Sequence, residues 1–237
     1  MPKPDSIIWI TGASSGIGKA LALEFASNNK IIAASARNKE ALDRLKKEIT
    51  SDKKNIELYP LDVTDFKQVN KNAKLIEAEY NIDCLINNAG ATTFKFAKDN
   101  SIEEIDEIIK TNLNGSIYAI QAVLPRMIEQ KRGTIINILS VAAEKVLTKS
   151  SVYAASKAGL LAYTKVLREE LREQNIRIIN ILPGATRTPI WPNKVLEKYG
   201  DRMMSPAEIA KFIFNIYSIN SNLVPEEIVL RPVKGDL

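Results

Sequence analysis

The sequence contains no histidine and a single cysteine, Cys84. Lack of histidine removes the commonest general base, the usual zinc ligand and every Ser/His or Cys/His nucleophile arrangement. Acid/base chemistry must then run through tyrosine, lysine, aspartate or glutamate, and no metal site is expected. One cysteine allows no intrachain disulfide. Cys84 lies within the apolar run Ile82 to Ile86, so the expectation is a buried structural thiol in a reducing compartment. No apolar run approaches transmembrane length, and the apolar pattern already begins at Ile7, which leaves no room for a signal peptide. A cytoplasmic protein without a membrane partner is expected. A basic stripe is missing too: although the formal charge is +5, lysines alternate with acids in Lys39 to Lys54 and Lys67 to Glu79, as on solvated helix faces. No nucleic-acid partner is expected; a small phosphate-bearing ligand suits the mild positive field.

What is present is ordinary soluble composition, 45% hydrophobic and 26% charged over 237 residues, which fits a single domain over 1–237. Short β-branched runs alternate with longer helical patterns. Strands are expected over Ile7 to Ile10, Ile31 to Ser35, Ile56 to Pro60, Cys84 to Asn87, Gly133 to Ser140, Ile176 to Leu182 and Glu227 to Leu230. Helices are expected over Gly16 to Asn28, Lys39 to Thr50, Asp65 to Tyr80, Ile102 to Gln130, Tyr153 to Gln174 and Pro206 to Ser218, with an irregular substrate-side excursion over Pro183 to Met204. Apolar strands joined by helices predict an α/β fold: a Rossmann-type, doubly wound parallel sheet of about seven strands with helices on both faces. Ligands bind such sheets beyond the carboxyl ends of the strands.

Thr11-Gly12-Ala13-Ser14-Ser15-Gly16-Ile17-Gly18 follows a strand and opens a helix, the setting in which a glycine-rich turn binds a pyrophosphate. Gly12 permits the tight turn, Gly16 the close approach of phosphate and Gly18 close helix packing. Without its context the pattern also fits an ordinary glycine-rich turn. At the end of the second strand, Ser35-Ala36-Arg37-Asn38 carries no acid for a ribose hydroxyl, and Arg37 offers a donor fork to a 2′-phosphate. NADP(H) is therefore favoured over NAD(H), with a solvated loop arginine as the alternative reading. Tyr153 and Lys157 are four apart at the head of a helix, on one face. A neighbouring ammonium and the positive ring of an oxidised nicotinamide would favour the phenolate of a tyrosine that otherwise titrates near ~10. Alone, that pair occurs in many helices with no catalytic meaning.

Taken together, Thr11 to Gly18, Asn87-Asn88-Ala89-Gly90 after the fourth strand, Ser140 thirteen residues ahead of Tyr153, and Tyr153-Ala154-Ala155-Ser156-Lys157 stand in an order and spacing that resemble the short-chain dehydrogenase/reductase family over essentially the whole chain. The resemblance implies an oxidoreductase that moves a hydride between NADP(H) and a carbonyl or secondary alcohol. It implies that Asn112 supports a proton-relay water linked to Lys157, that Ser140 bonds the substrate oxygen, that Tyr153 exchanges its proton, and that Lys157 holds the nicotinamide ribose and lowers the tyrosine pKa. Cofactor contacts are implied for Gly12, Ser14, Ser15, Gly16, Ile17 and Gly18, for Asp62 and Val63 at the adenine, for Asn88, Ala89 and Gly90, and for Pro183, Gly184, Thr186 and Thr188. One departure is Ser15, where many NADP-using members carry a basic residue; Arg37 is left as the main support for the 2′-phosphate. A homodimer or homotetramer is implied through the helices Ile102 to Gln130 and Tyr153 to Gln174.

Substrate-facing candidates are Val141, Glu144, Val146 and Leu147 after Ser140, and Ile190, Trp191, Tyr199, Met203 and Met204 in the excursion, a mostly apolar set for a small, partly apolar substrate. Two rival readings stay open at this point. A nucleotide sensor on the same fold would bind without turnover and has no need of all four catalytic residues. A Rossmann-like methyltransferase usually wants an acid where Arg37 stands.

Overall fold

The computed structural model describes residues 5–49, 55–219 and 223–236; the expected helix end at Thr50 lies outside them. Seven strands form one parallel sheet: β1 (Ser6–Thr11), β2 (Ile31–Ser35), β3 (Ile56–Leu58), β4 (Asn81–Asn87), β5 (Gly133–Ile138), β6 (Ile176–Pro183) and β7 (Glu227–Leu230), in the spatial order β3-β2-β1-β4-β5-β6-β7. The order reverses between β1 and β4, which places the topological switch point, and hence a cleft, at the carboxyl ends of those two strands.

Both sheet faces are buried because alternate side chains feed two different cores. On one face Ile8, Ile10, Ile32, Ile86, Ile136 and Ile179 pack under α1 (Gly16–Ser27), α2 (Lys39–Glu48) and the last long helix, Pro206–Tyr217. On the other, Ile7, Trp9, Leu85, Ile135 and Ile178 pack under α3 (Phe66–Glu79), Gly115–Gln130 and Ser151–Leu171. Trp9, Phe25, Ile10 and Leu85 are fully buried, and each such side chain contributes about 1.5–3 kcal/mol through the water it sheds. Where β1 meets β4, Ile7 pairs with Ile82 but Ile8 with Cys84, so Asp83 is the extra residue of a bulge. Its carboxylate accepts a hydrogen bond from the Tyr217 hydroxyl (2.8 Å) and pairs with Arg132, away from the strands' carboxyl ends.

Three expectations need correction. Ile102 to Gln130 is not one helix: α4 (Ile102–Ile109) passes through a π-helical turn, Lys110–Asn114, into α5 (Gly115–Gln130). The apolar period runs on through the wide turn, so periodicity cannot see it, yet a widened turn is what directs Asn112 off the helix track. The helix α6 (Ser151–Leu171) opens two residues ahead of Tyr153. The excursion after β6 is not wholly irregular either: it contains α7 (Asn193–Tyr199), which follows Pro192 and buries none of its residues. A seven-residue helix without a buried face leaves no amphipathic signal. The excursion is closed at its neck by a parallel bridge between Thr186 and Met204, beyond which α8 (Pro206–Tyr217) begins with a capping box from Ser205 and Glu208. No helix among the described residues is long and apolar enough to cross a membrane.

Candidate active site

The turn after β1 is shaped by backbone crowding. Gly12 has φ +66°, and a Cβ there would lie 2.7 Å from the Ala89 Cα, a backbone atom that cannot yield. Thr11 and Asn88 weld this turn to the one after β4: Thr11 Oγ1 accepts from the Asn88 and Ala89 amides (3.1 and 3.2 Å), and Asn88 Nδ2 donates to the carbonyls of Thr11 and Gly12 (3.1 and 3.0 Å). Gly18 packs so closely behind the turn that a Cβ would fall 2.3 Å from the Gly12 oxygen. Ser15, at the N-cap of α1, makes no side-chain capping bond, and the first turn carries no acid. The leading amides of α1 thus face the cleft with their positive end uncompensated, the arrangement that suits a phosphate.

Around Ser140, Tyr153 and Lys157 three elements converge. Ser140 follows β5 and its hydroxyl oxygen accepts from the Ala142 amide at 3.1 Å. Tyr153, on the first turn of α6, faces the same cleft as Ser140. Burial pushes the Tyr153 phenol above its usual range, and the nearby Ser140 hydroxyl opposes that push without overcoming it. Lys157, only 4% exposed, donates to the Ile138 carbonyl at 2.8 Å and lies 5.8 Å from the centre of the Tyr153 ring. Burial pulls its ammonium down from 10.5 to about 8. Asn112 is fully buried behind this pair. Its Oδ1 accepts from the Ala91 amide (2.7 Å), and its Nδ2 donates to the Ala91 carbonyl and to Ser156 Oγ (both 2.9 Å), which in turn donates to the Tyr153 carbonyl (2.7 Å). The π turn therefore ties the loop after β4 to the turn of α6 that carries the tyrosine.

A cleft of about 900 Å³ joins the two ends. Its wall includes Gly12, Ser14, Ser15, Gly16, Ile17, Arg37, Asp62, Val63, Asn88, Ala89, Gly90, Ser140, Tyr153, Lys157, Pro183, Gly184, Thr186 and Thr188, so the structure brings together nearly every residue singled out from the sequence. Gly18 and Asn112 stand behind the wall and act through what they pack against. Of the substrate-side candidates, Val141, Val146, Leu147, Ile190 and Trp191 line the cleft; Glu144, Tyr199, Met203 and Met204 do not. Glu144 is exposed to solvent, Met203 is buried, and Met204 packs against the core under α8, because the neck of the excursion turns both methionines inward.

With this geometry established, sequence comparison decides the family. The profile of short chain dehydrogenase matches residues 6–198. The chain belongs to the short-chain dehydrogenase family. It is 36% identical to a sepiapterin reductase of Chlorobaculum tepidum, over 98% of each chain, and 36% identical to a 3-oxoacyl-acyl-carrier-protein reductase of Thermotoga maritima, over 94% of each. Among solved structures, serine dehydrogenase complexed with NADP+ superposes with a TM-score of 0.90 at 28% identity, covering 98% of this chain and 96% of that one.

Several parts of the cleft escape sequence reasoning. Phe94, in the loop after β4, stacks on Trp191 with ring centres 4.8 Å apart and planes 15° apart, and the Trp191 indole is pinned by donation to the Thr186 carbonyl at 3.0 Å. Lys145 and Asp236 pair across the cleft from positions ninety-one residues apart. Beneath the site runs a buried ladder: Asn87 donates to Asn137 and Asn137 to Asn180 across three strands, and Asn180 donates to Thr164 of α6, each at 3.0 Å. An asparagine inside a parallel strand breaks an apolar run, and three at matched register signal such a ladder once the strand order is known.

Proposed function

We propose that this chain is an NADP(H)-dependent oxidoreductase acting on a carbonyl or secondary alcohol of a small, partly apolar substrate, with Tyr153 as the proton-exchanging group. The observation that carries this reading is the Ser140–Tyr153–Lys157 cluster at one end of a cleft whose other end is a glycine turn with uncapped helix amides. The residues fit the cofactor: Gly12, Ser14, Ser15, Gly16 and Ile17 offer backbone donors and close approach to the pyrophosphate, with Gly18 packed behind; Asp62 and Val63 suit the adenine, Asn88 to Gly90 the adjoining ribose, and Pro183, Gly184, Thr186 and Thr188 the nicotinamide side. When bound, the nicotinamide supplies or takes the hydride. The protein supplies the rest. Ser140 orients the reacting oxygen, and Tyr153, kept protonated by burial, donates to that oxygen during reduction. Lys157 holds a charge beside the phenol and suits the ribose hydroxyls, while Asn112 positions the tyrosine through Ser156. A sensor would have no need of this acid/base set.

Arg37 supports NADP(H) over NAD(H), since it lines the adenosine end and no acid stands between β2 and Glu40. A narrower substrate reading is favoured by the Phe94–Trp191 wall, whose flat faces suit a ring-bearing ketone; likeness to a sepiapterin reductase supports the same substrate class. Exposed Ile102, Ile128 and Val166, on α4, α5 and α6, suit a homodimer or homotetramer in the cytoplasm, checked by light scattering. The direct test follows oxidation of NADPH and NADH with sepiapterin, aryl ketones and aliphatic ketones. Turnover of ring-bearing ketones with NADPH supports the reading; no oxidation of either cofactor with any of them overturns it.

A further inference from the structure

Arg37 is not free in this structure. Its guanidinium lies 3.5 Å from the carboxylate of Glu107, an ion pair with both side chains more than half exposed. Glu107 sits on α4, one turn ahead of Thr111, and Thr111 lines the same cleft as Arg37, Asn38, Asp62 and Val63. The pair therefore links the loop after β2 to α4 across the rim of the adenosine end. Among the described residues, Arg37 is the cation that lines the cleft beside Asn38, Asp62 and Val63, and Glu107 is its ion-pair partner.

We infer that Glu107 is a specificity-determining residue that tempers the preference for a 2′-phosphorylated cofactor by competing for Arg37. This rests on the reading of Arg37 as the 2′-phosphate partner. A dianionic 2′-phosphate needs the guanidinium, so its binding requires Arg37 to leave Glu107 or to be shared with it. A ribose 2′-hydroxyl makes no such demand. The fraction of molecules with Arg37 released scales the apparent affinity for the phosphorylated cofactor alone. Because exposed pairs are weak, the effect is modest, about two- to fivefold, and it fades as salt screens both partners.

The test is a fluorescence titration of NADPH and NADH against wild type, E107Q, R37A and the double variant, at low and high ionic strength. At low salt E107Q should bind NADPH about two- to fivefold more tightly with NADH unchanged, and the gain should vanish at high salt and in the R37A background. Unchanged or weaker NADPH binding by E107Q, with R37A still losing NADPH selectively, overturns the role of Glu107 alone. A gain that persists without Arg37 also overturns competition for that cation. If R37A alters neither cofactor, the premise about the 2′-phosphate falls and the inference falls with it.

Discussion

Lys157→Met should make the protein more stable at neutral pH while removing its activity. The ammonium is 4% exposed, and burial lowers its pKa from 10.5 to about 8. Below about pH 8 the lysine is charged in both folded and unfolded chains, and the folded state carries the whole desolvation cost, ~3 kcal/mol. Methionine is similar in length and carries no charge. Against that gain stands the 2.8 Å bond to the Ile138 carbonyl, whose loss costs about 1–2 kcal/mol. The net expectation is a variant more stable by about 1–2 kcal/mol, roughly 2–8 °C in midpoint for a chain of this size. Between pH 8 and 10.5 the unfolded lysine binds more proton than the folded one, so wild-type stability rises with pH and the variant's does not gain from this source. The advantage should shrink from pH 8 upward and reverse by about pH 10. Thermal and urea melts of both proteins from pH 7 to pH 10 measure the difference directly. A variant destabilised at neutral pH, or a difference that does not move with pH, refutes the reasoning.

Gly12→Ala should abolish cofactor binding and lower stability by about 2 kcal/mol or more, since the left-handed backbone and the Ala89 contact at 2.7 Å leave no place for a methyl group; calorimetry with NADPH reads both. Trp191→Ala should raise KM for a ring-bearing ketone about two- to tenfold and leave KM for a small aliphatic ketone nearly unchanged, because only the former loses a stacking face. Equal effects on both would mean that the indole only props the loop.

The sheet was legible because β-branched runs and helical periods alternate cleanly, and the glycine turn because Gly12, Gly16 and Gly18 stand between a strand and a helix. The proximity of the candidate site residues was legible where spacing along one helix fixes it, as for Tyr153 and Lys157, and where the resemblance supplied the order of the blocks. The π turn at Asn112 was not, since widening a helix by one residue leaves its apolar pattern intact. The Phe94–Trp191 wall and the Lys145–Asp236 pair join segments distant in sequence, and no local pattern encodes such contacts. The methionines of the excursion were misplaced for a related reason: apolar residues in a loop carry no mark of whether they face a ligand or the core.

The most direct measurement is single-turnover hydride transfer by Tyr153→Phe, alongside its affinity for NADPH. If the phenol acts on the reacting oxygen as proposed, cofactor binding stays within about twofold of wild type and the transfer rate falls by about a hundredfold or more. A variant that binds NADPH normally and transfers hydride at close to the wild-type rate would contradict it, and Tyr153 would lose its place as the proton donor.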